Sequence, residues 1–163
     1  MNADALCVMT NSSQPNAKVL FRVANDDGSA EVETLWATHL GDDKYKLDNS
    51  PFYAYGVSWE DVVSAPFNAE EGHPTFQHVV SKSGNRTVRV IFDTPIETGS
   101  KSDQLLQGLA ALGCDYEGAT GKYISVNIPP RVELDVIRNY LIEHDATWEH
   151  ADPTYEALFP EDA

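Results

Sequence analysis

The second half of the chain alternates strand-like and helix-like runs in an order that few folds share. Four runs have the alternation or composition of strands: 87–92, 114–117, 123–128 and 146–149. Two runs between them repeat apolar residues at helical spacing: 105–112 and 132–141. Strand, helix, strand, strand, helix, strand is the order of the ferredoxin-like fold, in which both helices cover one face of a four-stranded antiparallel sheet. The sequence therefore predicts a ferredoxin-like lobe over residues 87–150.

Local signals mark the ends of the two predicted helices. Ser100 or Ser102 can cap the first helix, and Gly113 stands where a left-handed residue is wanted after it. Pro129 and Pro130 are predicted to open the second helix, because proline suits the first helical turn. The predicted buried stripe of the second helix consists of Val132, Val136, Ile137, Tyr140 and Leu141.

The first half has short strands separated by tight turns. Strands are predicted at 18–23, 31–40, 44–48, 61–65 and 75–81. A loop is predicted at 67–74. Short strands at such close spacing favour a small barrel or a strongly curled sheet. The predicted fold class is therefore α+β, with a small curled β-sheet or barrel packed on the ferredoxin-like half.

The predicted domain organisation has four parts. They are a flexible arm at 1–16, a β-rich lobe at 17–86, the ferredoxin-like lobe at 87–150 and an acidic C-terminal tail at 151–163. Because the first residues lack a basic region followed by an apolar run, we expect no secretory signal. No run of apolar residues reaches the length that spans a bilayer, so no membrane partner is expected.

The charge of the chain is strongly unbalanced. Its 26 acidic and 11 basic residues give a formal net charge of -15, and positions 143–163 contain no Lys or Arg. Such a surface repels the phosphates of nucleic acids and attracts basic proteins, so a basic protein partner is expected and a nucleic acid is not. Asp145, Glu149, Asp152 and Glu156 are predicted to line one exposed surface there. Tyr155 and Phe159 are the predicted apolar contacts, and Trp148 is predicted to anchor the last strand in the core.

A second candidate interface is the aromatic stretch that contains Phe52, Tyr53 and Tyr55. Pro51 and Gly56 interrupt regular structure there, so these residues are predicted to lie in a loop. Aromatic side chains on a loop either form a recognition patch or fill the mouth of a barrel, and the sequence leaves both readings open.

The only basic cluster lies at the junction of the two halves. It consists of Lys82, Ser83, Gly84, Arg86 and Arg89. Turn amides and two arginines can hold an anion or a small ligand. The alternative is that Arg86 and Arg89 pair with the chain's abundant carboxylates.

No arrangement typical of catalysis or of a bound metal or cofactor occurs. The five histidines include no His-x-x-x-His pair, and no Gly-x-Ser-x-Gly elbow is present. Residues 118–123 lack the Ser or Thr that follows Lys in a phosphate-binding loop, so we interpret them as a hairpin turn. Cys7 and Cys114 do not suggest a disulfide framework, which favours a reducing cytoplasm. We therefore expect no enzyme, no cofactor and no metal site.

Three stretches resemble a bacterial family catalogued as domain of unknown function 4265. They read KVLFRV, LWATHLGDDKYKLDNSPFYAYGVSWEDVV and SKSGNRTVRVIF, and they span residues 18–92. The family brings no established activity. Small proteins of this kind sometimes look like immunity proteins, which are paired with secreted bacterial toxins.

Two functions of different classes follow from these features. The first is a non-enzymatic acidic binding protein, an immunity or inhibitor protein that occludes a basic toxin domain. The alternative is a regulatory module that senses a small molecule on the open face of the ferredoxin-like sheet. That face is predicted to carry Arg89, Tyr123, Ser125 and Asn127, and it is either solvated or covered by the first half.

Overall fold

The computed structural model describes residues 15–162, which form a mixed α/β fold with mostly antiparallel sheets and three short helices. The strands of the first half are β1 (Ala17–Ala24), β2 (Ala30–Gly41), β3 (Lys44–Leu47), β4 (Val62–Ser64), β5 (Phe67–Asn68), β6 (His73–Pro74) and β7 (His78–Ser81). Those of the second half are β8 (Arg86–Ile91), β9 (Asp115–Gly118), β10 (Tyr123–Ile128) and β11 (Thr147–Asp152). The helices are α1 (Lys101–Ala111), α2 (Leu134–Glu143) and α3 (Tyr155–Leu158), followed by a 3-10 turn (Pro160–Asp162). No described helix has the length and apolar character needed to cross a membrane.

The first sheet follows the order β1–β2–β3–β4–β7, and every neighbouring pair is antiparallel. Alternation in β2 turns one face inward, and Val19, Phe21 and Val23 of β1 share that face. It packs with β3, β4 and the loop before β4. The sheet curls strongly, because the outer edge of β1 reaches the segment that precedes β7. There, the Phe76 amide donates to the Leu20 carbonyl at 2.9 Å, and the rings of Phe21 and Phe76 stack at 4.8 Å.

The second sheet has the order β11–β8–β10–β9, and all its pairs are antiparallel. Helices α1 and α2 cover one face through Leu105, Leu109, Ile137 and Leu141. A glycine inside α1 permits this packing, since the Tyr140 hydroxyl lies 1.9 Å from where a Cβ of Gly108 would stand. The predicted β9–β10 hairpin is present, with Gly118 and Ile124 paired at its end.

The opposite, polar face of the second sheet is covered by the first half rather than solvated. Arg89, Ser125 and Asn127 are each at most 2 % exposed. The Ser125 hydroxyl donates to the Pro51 carbonyl at 2.8 Å, and the Tyr123 hydroxyl donates to the carbonyl of the residue that follows Pro51. The two halves therefore share a hydrogen-bonded interface as well as having separate apolar cores.

Several local predictions are corrected by the structure. Pro129 and Pro130 were predicted to open the second helix, but α2 begins only at Leu134. The two prolines lie instead in a turn, in which the Val132 amide donates to the Pro129 carbonyl. With that start, Val136 faces outward and is 45 % exposed, so it does not belong to the buried stripe. The predicted loop 67–74 contains the β5–β6 hairpin, and the strand predicted at 75–81 begins only at His78.

Other local predictions are confirmed. Ser100, rather than Ser102, caps α1 by accepting from the Asp103 amide at 3.3 Å. Gly113 has a φ of 106°, in the left-handed region that glycine favours. Trp148 packs against the second core from β11, as expected. The arm predicted at 1–16 lies outside the described residues apart from 15 and 16, and Cys7 lies outside them as well.

Candidate functional site

A buried glutamate fixes the conformation of the aromatic loop, which we define as residues 51–56. The carboxylate of Glu33, on the inward face of β2, accepts from the amides of Phe52, Tyr53 and Ala54 at 3.0, 3.0 and 2.7 Å. Glu33 itself is 8 % exposed. Three successive amides on one carboxylate form an anion nest, so the charge of Glu33 holds the loop in a single path.

A buried arginine joins this loop to the last strand. Arg89, 1 % exposed on β8, donates to the Ala54 carbonyl and to Glu149 on β11 at 3.3 Å. Its guanidinium also lies 4.8 Å from the centre of the Tyr55 ring. The Tyr55 hydroxyl donates to the two oxygens of Glu149 at 2.9 and 3.1 Å. Burial, followed by the contact with Glu149, raises the pKa of Tyr55, so the phenol stays protonated and keeps its donor role.

Between the aromatic loop and the C-terminal segment lies a groove of about 450 Å³, which we call the C-terminal groove. It is lined by Tyr55, Trp148, Glu149, His150, Thr154, Tyr155 and Glu156. Aromatic rings and carboxylates thus converge there from parts of the chain almost a hundred residues apart. One residue of the predicted aromatic interface, Tyr55, meets the predicted acidic segment there.

The aromatic wall of the groove is a packed cluster centred on His150. The His150 ring lies 4.6 Å from that of Trp148 and 5.8 Å from that of Tyr155, which in turn packs on Phe159 at 4.9 Å. The guanidinium of Arg138, on α2, lies 5.0 Å from the centre of the Phe159 ring. These contacts hold α3 against β11, so the segment predicted as an acidic tail is packed over the part that the structure describes.

A second depression, of about 740 Å³, lies between the first turn of α1 and the last turn of α2. Lys101, Glu143, His144 and Asp145 are among its lining residues. It therefore mixes both signs of charge and has few aromatic residues. The C-terminal groove is the better-defined candidate, because its rings and the Glu149 carboxylate are fixed by contacts from separate segments of the chain.

Comparison with known protein families assigns the chain to one of them. The model of the family described as Domain of unknown function (DUF4265) matches residues 33–151. The chain belongs to the DUF4265 family. The resemblance inferred from residues 18–92 is thereby confirmed, and the match continues through the second sheet almost to the end of β11.

Solved structures add a likeness of fold to this family assignment. The DUF4265 chain is similar to the crystal structure of a hypothetical protein from Neisseria gonorrhoeae, with 19% sequence identity and a TM-score of 0.69. The likeness covers 85% of this chain and 96% of that one. No curated protein matches the chain.

The predicted acidic surface of this DUF4265 chain is only partly formed. Glu149 and Glu156 line the C-terminal groove, whereas the exposed Asp145 lies in the turn before β11, at the other depression. Asp152 was predicted to be exposed, and this is wrong: it is 6 % exposed and accepts from Lys82 and Ser58, each at 2.6 Å. A register shift in β11 after His150 turns its carboxylate towards the junction of the two halves.

Only some of the aromatic residues predicted to contact a partner line the C-terminal groove. Tyr55 and Tyr155 line the groove and are 48 % and 43 % exposed. Phe159 stands behind Tyr155, in contact with it and with Arg138. Tyr53 stacks on Tyr123 at 5.8 Å, away from the groove, and Phe52 is half-buried beside the same ring.

The basic cluster is occupied by internal partners. The Lys82 ammonium lies 2.5 Å from Asp61 and 2.6 Å from Asp152, and Arg86 donates to the carbonyls of Pro129 and Val132 rather than to a carboxylate. Ser83 and Gly84 form the turn between them. The Ser83 amide donates to Asp61 at 2.8 Å, and Gly84 has a φ of 94°. Of the two arginines, only Arg89 pairs with a carboxylate, that of Glu149.

Two groups with nucleophilic potential, the Cys114 thiol and the Ser58 hydroxyl, are buried. Burial, followed by the charge of Asp115, raises the pKa of the Cys114 thiol to about 11, so the nucleophilic thiolate is scarce near neutrality. The Ser58 hydroxyl is fully buried between Thr87 and Asp152. Within residues 15–162, no group of three or more His, Cys, Asp and Glu side chains is placed to hold a metal ion.

Sequence reasoning missed two carboxylates that organise the site, Glu33 and Asp61. One signal for Glu33 was available, because it shares the inward register of β2 with Leu35 and Ala37 and so stands among core residues. A charged residue at such a position needs a buried partner. Asp61 carries no comparable signal, since only the Ser58 amide is a local partner and the other two, Lys82 and Ser83, are more than 20 residues away.

The titration of His150 gives a testable pH dependence. Burial, and then the nearby charge of Arg138, lowers the pKa of His150 from its usual 6.5. As pH falls below 6.5 the unfolded chain binds a proton before the folded one does, so stability decreases until the folded pKa is passed. His150→Phe retains a packed ring without this titration. We expect its free energy of unfolding in urea to fall less than that of the wild type between pH 7.5 and 5.5.

The exposed His78 provides the control for adding a phenyl ring. His78→Phe should show the wild-type decrease in stability over the same pH interval. Equal pH dependence in His150→Phe and the wild type would contradict the expectation.

Proposed function

We propose that this DUF4265 protein is a non-enzymatic binding protein that docks a basic protein partner at the C-terminal groove. The observation that carries the proposal is the convergence of exposed rings with the carboxylates of Glu149 and Glu156 in one concave site. No described residue forms an ion pair with Glu156. Aromatic anchors within a charged rim are typical of protein interfaces with localised binding energy.

The partner that suits this site is a basic toxin domain in the bacterial cytoplasm, whose cations would otherwise hold nucleic acid or a nucleotide. The net charge of -15 supports the proposal, because a field of that sign attracts such a domain and speeds its association. Occlusion of the basic surface would then inhibit the toxin without any chemistry by the inhibitor.

We also propose that the second half is ferredoxin-like. Its strand order β11–β8–β10–β9, with α1 between β8 and β9 and α2 between β10 and β11, supports this classification. The face proposed for a small regulatory molecule is filled by the aromatic loop, through bonds from Arg89 and Ser125. The surface assigned to the small-molecule alternative is therefore occupied by the protein's own loop.

The test compares capture by matched double variants. Tyr155→Ser with Glu156→Gln removes one ring and one charge from the groove. Tyr116→Ser with Asp115→Asn removes an adjacent, exposed tyrosine and carboxylate from the edge strand β9. With each protein immobilised in a bacterial lysate, we expect a basic protein to be retained at equal molar amount by the wild type and the β9 variant, and to be lost from the groove variant. Retention of that protein by the groove variant, or a captured protein that is acidic, would refute the proposal.

A further inference from the structure

We infer that the C-terminal groove accepts a single arginine side chain, presented by an exposed segment of the partner. The inference rests on the proposed function and adds the chemical identity of the recognised group. Its basis is the placement of the Tyr55 and Tyr155 rings beside the carboxylates of Glu149 and Glu156. A guanidinium is a planar cation that stacks on aromatic faces and bonds carboxylates with parallel donors, whereas an ammonium acts as a point charge.

The chain's own arginines already use this geometry from inside the protein. Arg89 lies over the Tyr55 ring at 4.8 Å while it donates to Glu149 at 3.3 Å. Arg138 lies over the Phe159 ring at 5.0 Å, in the same cluster. Tyr55 and Glu149 thus already bind a guanidinium that comes from the interior of the protein. Tyr55 is also half exposed, so the same two side chains are available to a guanidinium that comes from solvent.

The charge balance of the groove fits one monovalent cation. Glu149 is paired with the buried Arg89. One negative charge among the lining residues, that of Glu156, has no ionic partner among the described residues. Glu149 keeps unused acceptor capacity, and the Tyr55 oxygen can also accept because its proton is directed at Glu149. A forked donor can reach more than one of these acceptors, which an ammonium cannot do as well.

The size of the groove indicates that the arginine arrives on a polypeptide. A volume of about 450 Å³ lies within the usual range of roughly 300–1,000 Å³ for ligand pockets. It admits a long side chain together with the backbone beside it. The preferred occupant is therefore an arginine flanked by small residues in an extended or loop segment.

The experiment titrates the protein with three capped pentapeptides, Gly-Gly-X-Gly-Gly, in which X is arginine, lysine or citrulline. Citrulline has the shape of arginine without its charge. The readout is the indole NH signal of Trp148, a groove residue, in two-dimensional NMR spectra. We expect the arginine peptide to shift this signal with a Kd in the millimolar range, the lysine peptide to bind about threefold more weakly or worse, and the citrulline peptide to cause no saturable shift.

Variants locate the effect in the groove. Glu156→Gln should weaken the arginine peptide about threefold, an effect that 1 M salt should reproduce in the wild type, while Asp115→Asn should leave its affinity unchanged. Equal binding of the arginine and lysine peptides, or saturable binding of the citrulline peptide, would overturn the assignment of arginine. If no peptide binds but capture of a basic protein still depends on the groove, the inference fails and the proposed function stands. If neither depends on the groove, both fail.

Discussion

Replacing Asp61 with alanine should lower the free energy of unfolding by about 3 kcal/mol or more, the largest effect expected from removing one polar group. Asp61 is fully buried and accepts from the amides of Ser58 and Ser83 at 2.9 and 2.8 Å, as well as from Lys82 at 2.5 Å. Alanine would leave both amides without an acceptor. Loss of the ion pair contributes less, because the Lys82 side chain is 44% exposed and keeps Asp152 and water as partners.

The measurement is urea unfolding followed by tryptophan fluorescence. Asp26→Ala is the matched control, because it makes the same chemical change at an exposed turn and should alter stability by less than about 0.5 kcal/mol. Asp61→Asn should fall between the two, since its amide retains one acceptor oxygen. An Asp61→Ala protein as stable as Asp26→Ala would show that the junction of the two halves contributes little to folding.

The elements that the sequence predicted are those encoded by neighbouring residues. The alternation of β2 and β10, the serine cap of α1 and the left-handed Gly113 each depend on positions a few residues apart. For the same reason the order of strands and helices in the second half was correct. The predicted boundaries are wrong where they depend on a single turn, as at the start of α2. Because that start was misplaced, Val136 was wrongly assigned to the buried face of the helix.

The candidate site was only half predictable, because its geometry comes from contacts that are remote in sequence. Tyr55 and Glu149 are 94 residues apart, and no local pattern shows that their side chains bond. The charge pattern pointed to the segment in which Glu149 and Glu156 line the groove. It did not show that Asp152 is buried, since composition cannot reveal the register shift that turns this carboxylate inward. The charge pattern identifies a segment of the chain, whereas long-range packing decides which of its carboxylates are exposed.

Replacing Glu33 with alanine should both destabilise the protein and abolish peptide binding at the groove, although Glu33 does not line it. The side chain accepts from three successive loop amides at 2.7 to 3.0 Å. Hydrogen bonds to a charged group contribute roughly 1.5–3 kcal/mol each when isolated, but the loop can shift and admit water once the carboxylate is gone. We therefore expect a net loss of about 3 kcal/mol in the free energy of unfolding, together with a displaced Tyr55.

Glu31→Ala is the matched control, because Glu31 lies on the same strand two residues away and is exposed. It should change neither stability nor the response of the Trp148 signal to the arginine peptide. Glu33→Gln should separate the two effects, because its amide oxygen can still accept from some of the loop amides. We therefore expect this variant to lose less stability than Glu33→Ala. Its peptide binding should remain weak, because binding requires Tyr55 to keep its wild-type position. If Glu33→Ala lost stability but bound the peptide as the wild type does, the aromatic loop would have no part in the groove, and recognition would have to come from β11 and α3 alone.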